Sequence, residues 1–123
     1  MTVDMRKLAR LQEHASEIRE AIAGQFARYR QRLSDAEECR RAALVGAMGA
    51  AQHLSVAQLL ELPETERSAI GVSAKHLRAA EQHLAAAEEI KAAMERRRDE
   101  TAGFTALVRR LETYVEGSGS LHA

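Results

Sequence analysis

"SVAQLLELPETER", residues 55–67, contains the only proline of the 123-residue chain and two helix-start signals in close succession. Ser55 followed three residues later by Gln58 is a capping-box pattern, in which the two residues satisfy backbone N–H groups at the start of a helix. Pro63 and the acidic residues that follow it suit the first turn of another helix, whose N-terminal end is positive. We therefore expect a short helix over about 56–62 at a turn of the chain, followed by a long helix.

Before this turn, apolar residues recur at steps of three and four over roughly ten helical turns, which predicts a helix over about 4–51. The steps from Ile18 to Ile22 and from Ile22 to Phe26 are both four residues. This spacing breaks the seven-residue repeat and favours a locally straighter seam.

After the turn, a second apolar stripe predicts a helix over about 64–116. A strict seven-residue repeat runs along it through Ala80, Ala87, Met94, Thr101, Val108 and Val115. Arg97 and Thr101 also fall on seam positions, where polar residues mark a solvated or register-fixing layer. Residues 117–123, "GSGSLHA", predict a flexible tail.

Two long helices joined by so short a connection fold back on each other, so we predict an all-α fold. Residues 1–116 are expected to form one domain, a long antiparallel, coiled-coil-like helical hairpin with a short helix at the turn. Only 3% of residues are aromatic and much of the apolar content is alanine, so a single seam buries little area. We therefore expect hairpins to pair into a helical bundle, as a homodimer or higher oligomer.

The charge and cysteine content limit the possible partners and the compartment. The chain has 18 basic and 18 acidic residues, which offers no sequence-wide attraction to nucleic acid or to an anionic membrane. Its solitary cysteine cannot form an intramolecular disulfide. No signal peptide is visible and the longest apolar run, of ten residues, is too short to cross a bilayer. We expect a cytoplasmic protein with no membrane insertion.

Motifs for catalysis or for cofactor binding are missing from the sequence. His76 and His83 are seven residues apart, too far to share one metal on a helix. Cys39 lies in a helical stripe, where we expect a half-buried small residue. No phosphate loop, nucleophile elbow or zinc pattern occurs. We therefore expect no enzymatic activity, no catalytic residue, no cofactor, no metal and no small-molecule substrate.

The tetrapeptide "LPET" within the opening stretch resembles the sortase recognition motif. The fifth position of that motif is glycine, whereas this chain has Glu66, and no hydrophobic tail with a basic stop follows. The helix-start interpretation accounts for the same residues without a sorting signal.

Residues 42–62 are apolar around most of the helix circumference, which predicts a packed head or a partner-binding surface at the turn. For this head, the predicted partner or oligomer interface consists of Leu44, Val45, Met48, Leu54, Val56, Leu59, Leu60 and Leu62. For the seam of the long helices, it consists of Ile22, Phe26, Tyr29, Ile90, Met94 and Phe104.

Clusters of arginine suggest an alternative role in nucleic-acid binding. The residues that would contact phosphates are Arg28, Arg32, Arg96, Arg97, Arg98, Arg109 and Arg110. Glutamates are interleaved with these clusters and no aromatic stacking platform accompanies them, so this role ranks second.

The function expected first is a non-enzymatic protein–protein interaction module, such as an adaptor, a scaffold or an assembly or secretion chaperone. Recognition would occur through helix-on-helix contacts that bury apolar side chains left exposed by a two-helix hairpin. The layout is similar to that of small bacterial secretion chaperones, export-stalk proteins and phage assembly components. No residue motif selects among these classes.

Overall fold

A computed structural model describes the backbone of residues 3–122 and the side chains of residues 3–117. The described residues form helices and turns without any strand, which confirms the predicted all-α class. The helical segments are α1 (Met5–Leu44), a short 3-10 helix (Gly49–His53), α2 (Val56–Glu61), α3 (Glu64–Ala69) and α4 (Ala74–His122).

The chain divides into two compact units, in each of which α1 packs against α4. The terminal unit comprises Met1–Phe26 and Ala92–Ala123, and the turn unit comprises Ala27–Lys91. Within the turn unit, the end of α1 and the start of α4 are joined through the three short helices. This unit therefore has the helical-hairpin arrangement that the sequence predicts for the region around the turn.

The core of the turn unit is a cluster of buried apolar residues in which every helical segment except α3 takes part. Leu44 of α1, Leu59 of α2 and Leu77 of α4 are its largest fully buried side chains. Ala80 is also fully buried, and its methyl group lets the neighbouring helices approach closely. Among the short helices, α2 thus contributes Val56 and Leu59 to this core and the 3-10 helix contributes Ala51.

The start of α2 has the capping box that the sequence predicts. Ser55 Oγ accepts a hydrogen bond from the Gln58 backbone N–H at 3.1 Å, and Gln58 Oε1 accepts one from the Ser55 N–H at 2.9 Å. Leu54 and Leu59 both join the apolar cluster, as expected of staple residues. Two backbone donors at a helix end are satisfied, so the entry into α2 is well defined.

The predicted helix over 64–116 is interrupted, because α3 ends at Ala69 and α4 begins at Ala74. Gly71 has a φ of +90°, and its N–H donates to the Ser68 carbonyl while the Val72 N–H donates to the Arg67 carbonyl. This hydrogen-bond pattern is the Schellman motif, which ends a helix.

Ser73 follows the break and occupies the N-cap position of α4, and its Oγ lies 3.5 Å from the His76 backbone nitrogen. Ser73 lies within residues 64–116, which the apolar stripe predicts as one continuous helix. A glycine followed two residues later by a serine was the available signal for the break, since these residues favour a helix end and a helix start.

The predicted first helix is also shorter than expected, since α1 ends at Leu44 rather than near residue 51. Its last carbonyl groups have partners outside the helix. The Ala43 carbonyl accepts from the Ser73 N–H at 2.9 Å, and the Leu44 carbonyl accepts from the Ala47 N–H and from the Gln52 side chain. Because these bonds replace the next helical turn, the following residues fold back over the core.

In the terminal unit the buried residues follow a seven-residue repeat more closely than predicted. Leu8, Ala15 and Ile18 of α1 are buried, and Gln25, seven residues after Ile18, is only 8% exposed. Phe26, which the sequence interpretation placed on the seam, is 44% exposed. The seam therefore continues through a polar residue, and the apparent break at Phe26 arises because glutamine was not counted as a seam residue.

At the C-terminal end, α4 extends to His122, so helical backbone runs into the segment that was predicted as a tail from residue 117. The side chains of residues 118–123 lie outside the described residues.

Candidate protein-interaction surfaces

Residues 45–48, the tip loop, expose two large apolar side chains. Val45 is 85% exposed and Met48 is 64% exposed, the highest values among the large apolar residues of the described chain. Both are part of the head that the sequence predicts as an interface. Side chains of this kind lose water when a partner covers them, so an exposed pair on one loop is a candidate contact site.

The backbone of the tip loop is held in place from both sides. The Met48 N–H donates to the Ile70 carbonyl at 3.0 Å, and the Ala47 N–H donates to the Leu44 carbonyl at 3.0 Å. Gly46 lies against Gly71, where a Cβ atom would come within 2.6 Å of the Gly46 carbonyl oxygen. The exposed side chains therefore project from an ordered backbone, which lowers the entropy lost when a partner binds.

The other predicted head residues divide into three groups. Leu44, Val56 and Leu59 belong to the buried cluster and form an internal core, so a partner cannot reach them while the turn unit is folded. Leu54 and Leu62 are half-buried. Leu60 is 37% exposed and remains accessible.

Arg40 connects α1 to the segment before α2. Its guanidinium donates to both carboxylate oxygens of Glu37, at 2.9 Å and 2.7 Å, and to the backbone carbonyls of Gln52 and Leu54 at 3.2 Å and 3.1 Å. The hydrogen bonds from Arg40 hold the pKa of the Glu37 carboxyl below its ordinary value of 4.5, although desolvation opposes this. The same pairing raises the pKa of Arg40.

Replacing Glu37 by glutamine is expected to lower the free energy of unfolding at pH 7 by up to about 1 kcal/mol, since the carboxylate is partly solvated. The folded-state pKa of Glu37 is depressed, so its contribution is present above the ordinary value of 4.5 and is lost as the pH falls through the folded value. Urea unfolding of both proteins at pH 7 and at about pH 3 measures the difference.

Glu38→Gln is the matched control for this comparison. Glu38 is exposed and makes no ion pair among the described residues, so its replacement should leave stability unchanged at both pH values. A Glu37→Gln effect of equal size at the two pH values would contradict the assignment to the carboxylate.

The predicted seam residues are only partly buried. Met94 is buried, whereas Ile22, Tyr29, Ile90 and Phe104 are half-buried. Within the terminal unit, Phe104 meets the His14 ring edge-on, with ring centroids 5.0 Å apart. Sequence reasoning missed this histidine and also missed the buried Gln25.

The arginines proposed for phosphate binding do not form one cluster. In the turn unit, the Nη1 atom of Arg32 lies 3.0 Å from the Nδ1 atom of His83. Arg98, Arg109 and Arg110 line one cavity in the terminal unit, where Arg19 joins them. The remaining ones, Arg28, Arg96 and Arg97, are not among the residues that line this cavity.

The arginine-lined cavity, which we call the arginine groove, has a volume of about 770 Å³ and lies between α1 and α4 of the terminal unit. Its lining residues are Ile18, Arg19, Ile22, Arg98, Thr101, Ala102, Thr105, Ala106, Arg109, Arg110, Glu112 and Thr113. Along α4 it extends for roughly 22 Å, at 1.5 Å per helical residue. This length equals about four turns of a helix.

The threonines of the arginine groove use their hydroxyl protons within α4. The hydroxyls of Thr101, Thr105 and Thr113 donate to backbone carbonyls three or four residues earlier, at 2.6, 3.1 and 2.9 Å. A hydroxyl that already donates has no proton left for a ligand. The lining of the groove therefore combines small side chains and threonines with four guanidinium donors.

Potential metal ligands and the single cysteine were also located in the described residues. No group of three or more histidine, cysteine, aspartate or glutamate side chains within that part of the chain is arranged to hold a metal ion. Cys39 is half-buried and packs against the apolar cluster of the turn unit, which confirms its predicted placement. None of the described helices combines the length and the apolar character needed to span a membrane.

Comparisons of this chain with protein-family models, with curated protein sequences and with solved structures find no match.

Proposed function

We propose that the protein is a non-enzymatic protein–protein interaction module, an adaptor, scaffold or assembly chaperone that recognises partners through helix-on-helix contacts. The observation that carries this proposal is the tip loop, an ordered backbone that exposes Val45 and Met48 to solvent. Two exposed apolar side chains on a loop held by hydrogen bonds suit a hydrophobic groove or helix face on another protein.

Support also comes from the distribution of small residues in the seam. Ala15, Ala36, Ala80 and Ala87 are buried between the long helices, and an alanine layer buries less apolar area than a leucine layer. Pairing with another helical surface would add the area that these seams lack. On this basis we also propose self-association, as a homodimer or a higher oligomer in the cytoplasm.

Photo-cross-linking tests the tip loop directly. Benzoyl-phenylalanine, a photo-reactive residue, is placed at position 45 or at position 48. Lys75, an exposed position on α4, serves as the control site. Each protein is then irradiated in lysate from the native cells. We expect the same adduct from positions 45 and 48 and none from position 75. Excess wild-type protein should compete for this adduct, and a Val45→Ser, Met48→Ser variant should not.

Adducts of equal strength from all three positions, or equal competition by the doubly substituted variant, would contradict the tip loop as the partner surface. Both substitutions lie on exposed side chains, so circular dichroism is expected to show unchanged helix content.

Nucleic-acid binding is the second candidate function, favoured by the meeting of Arg98, Arg109 and Arg110 in one groove. Glu112 lies in the same groove and no aromatic side chain lines it, which weakens this candidate. Retention on a phosphate matrix measures it. Binding that weakens steeply with salt would support the candidate, and weak or salt-insensitive retention would exclude it.

A further inference from the structure

We propose that the arginine groove receives α1 of a second copy of this chain, with the acidic outer face of that helix against the four lining arginines. This proposal rests on the proposed function, because it names the surface and the partner for self-association. The occupant is inferred from charge complementarity between two surfaces of the terminal unit.

The arginine groove carries an excess of positive charge that the described residues leave unpaired. Four arginines and one glutamate line it. None of the four arginines makes an ion pair or a side-chain hydrogen bond with the described residues. Guanidinium groups that lack a partner of their own are suited to carboxylates presented by a helix, since they can pair in a bidentate manner.

The matching acidic surface is on α1 of the same unit. Glu13, Glu17 and Glu20 follow spacings of four and three residues, so they share one side of the helix, and all three are exposed. Glu17 lies 3.5 Å from His14 Nδ1, while Glu13 and Glu20 have no ion pair among the described residues. This acidic face therefore has carboxylates available for another chain.

Small side chains on both surfaces allow the helices to approach closely. Ala102 and Ala106 are exposed residues that line the arginine groove. On α1, Ser16 and Ala23 each lie three residues after a glutamate of the acidic face. Interaxial distances of about 8–10 Å depend on the side chains at the contact, and small ones permit the lower end of that range.

A second copy is the occupant we infer, because both complementary surfaces are present on this one chain. The chain has no net formal charge, so two copies do not repel each other overall, and the positive groove of one can face the negative helix face of the other. In a two-fold dimer each groove–helix contact occurs twice, which doubles the apolar area buried and the number of ion pairs. Exposed Phe26 lies four residues after Ile22, a groove residue, and would gain cover at such an interface.

Charge reversal with mutual rescue tests the proposal. Light scattering of the wild-type protein at low salt and roughly 100 µM should give the mass of a dimer. One double variant carries Arg109→Glu and Arg110→Glu, and a second carries Glu13→Arg and Glu20→Arg. Each double variant should raise the dimer dissociation constant by at least about tenfold. An equimolar mixture of these two variants should restore dimers, because both contacts of the mixed dimer again pair opposite charges.

Arg96→Glu, Arg97→Glu is the matched control, since it makes the same change on exposed residues of α4 that do not line the arginine groove. It should dimerise like the wild type. Equal loss of dimers in this control, or a mixture that stays monomeric, would overturn the proposal.

A wild-type monomer at this concentration would also overturn it, and binding of poly-L-glutamate to such a monomer would assign the groove to a different acidic partner. Photo-cross-linking from the tip loop does not involve these residues. A failed dimer therefore leaves the result at Val45 and Met48 as an independent test of the proposed function.

Discussion

Replacing Gly71 by alanine is expected to lower the free energy of unfolding by about 2–4 kcal/mol, because two unfavourable effects coincide at this position. Gly71 has a φ of +90°, a conformation that side-chain-bearing residues rarely adopt. A Cβ atom there would also lie 2.6 Å from the Gly46 carbonyl oxygen and 3.3 Å from the Ala47 Cα. These contacts involve backbone atoms, which cannot move aside by changing rotamer.

Gly103→Ala provides the control for Gly71→Ala. Gly103 lies inside α4, has no heavy atom within 4 Å of the position a Cβ would take, and does not have a positive φ. Alanine should stabilise the helix there by about 0.5–1 kcal/mol. Urea unfolding of the two variants should therefore give shifts of opposite sign. A neutral Gly71→Ala variant would mean that the break between α3 and α4 does not depend on this glycine.

Leu59→Ala is expected to lower the free energy of unfolding by about 3 kcal/mol. Leu59 is 0% exposed and belongs to the cluster that joins α2 to α1 and α4. Truncation removes buried methyl groups and leaves a cavity that the surrounding helices can fill only in part. Urea unfolding monitored by circular dichroism measures the loss.

The adjacent Leu60 supplies the control, because it is 37% exposed and has the same side chain on the same helix. Leu60→Ala should cost less than about 1 kcal/mol, since much of its surface stays in water. Equal losses for the two variants would contradict the burial pattern of α2. In cross-linking from the tip loop, Leu60→Ala should leave the partner adduct detectable, since Val45 and Met48 are unchanged.

The pattern of local signals was sufficient to predict where most helices begin. The capping box of Ser55 and Gln58 forms as expected, and α3 begins at Glu64, directly after Pro63. Such signals depend on hydrogen bonds and backbone angles within about four residues, so a single sequence contains the information. The same applies to the all-α class, which follows from the period of the apolar residues.

Helix ends were predicted less well than helix starts. The end of α1 depends on two donors that lie later in the chain. The Ser73 N–H donates to the Ala43 carbonyl, and the Gln52 side chain donates to the Leu44 carbonyl. The break at Gly71 was overlooked because the apolar spacing continues across it. The predicted helices over about 4–51 and 64–116 therefore both include residues whose backbone is determined by contacts at the turn.

For the candidate surfaces too, local sequence predicted the residue types, whereas the packing of the helices decided which residues are exposed or share a groove. The sequence identified the apolar head but could not separate Leu59 in the core from Leu60 at the surface, since adjacent leucines carry the same local signal. It identified Arg98, Arg109 and Arg110 as basic, whereas their association with Arg19 required the packing of α1 on α4. It also gave no reason to expect that Gln25 would be buried.

The sequence by itself determined the helical class, the turn around residues 55–67 and the balance of charges, because these depend on composition and on interactions along a few helical turns. Only the tertiary structure decided which apolar side chains are enclosed, which are left on the tip loop, and which arginines share a groove. Those outcomes depend on the rotation and register of one helix against another, and these are set by the sum of many weak contacts between residues far apart in the chain.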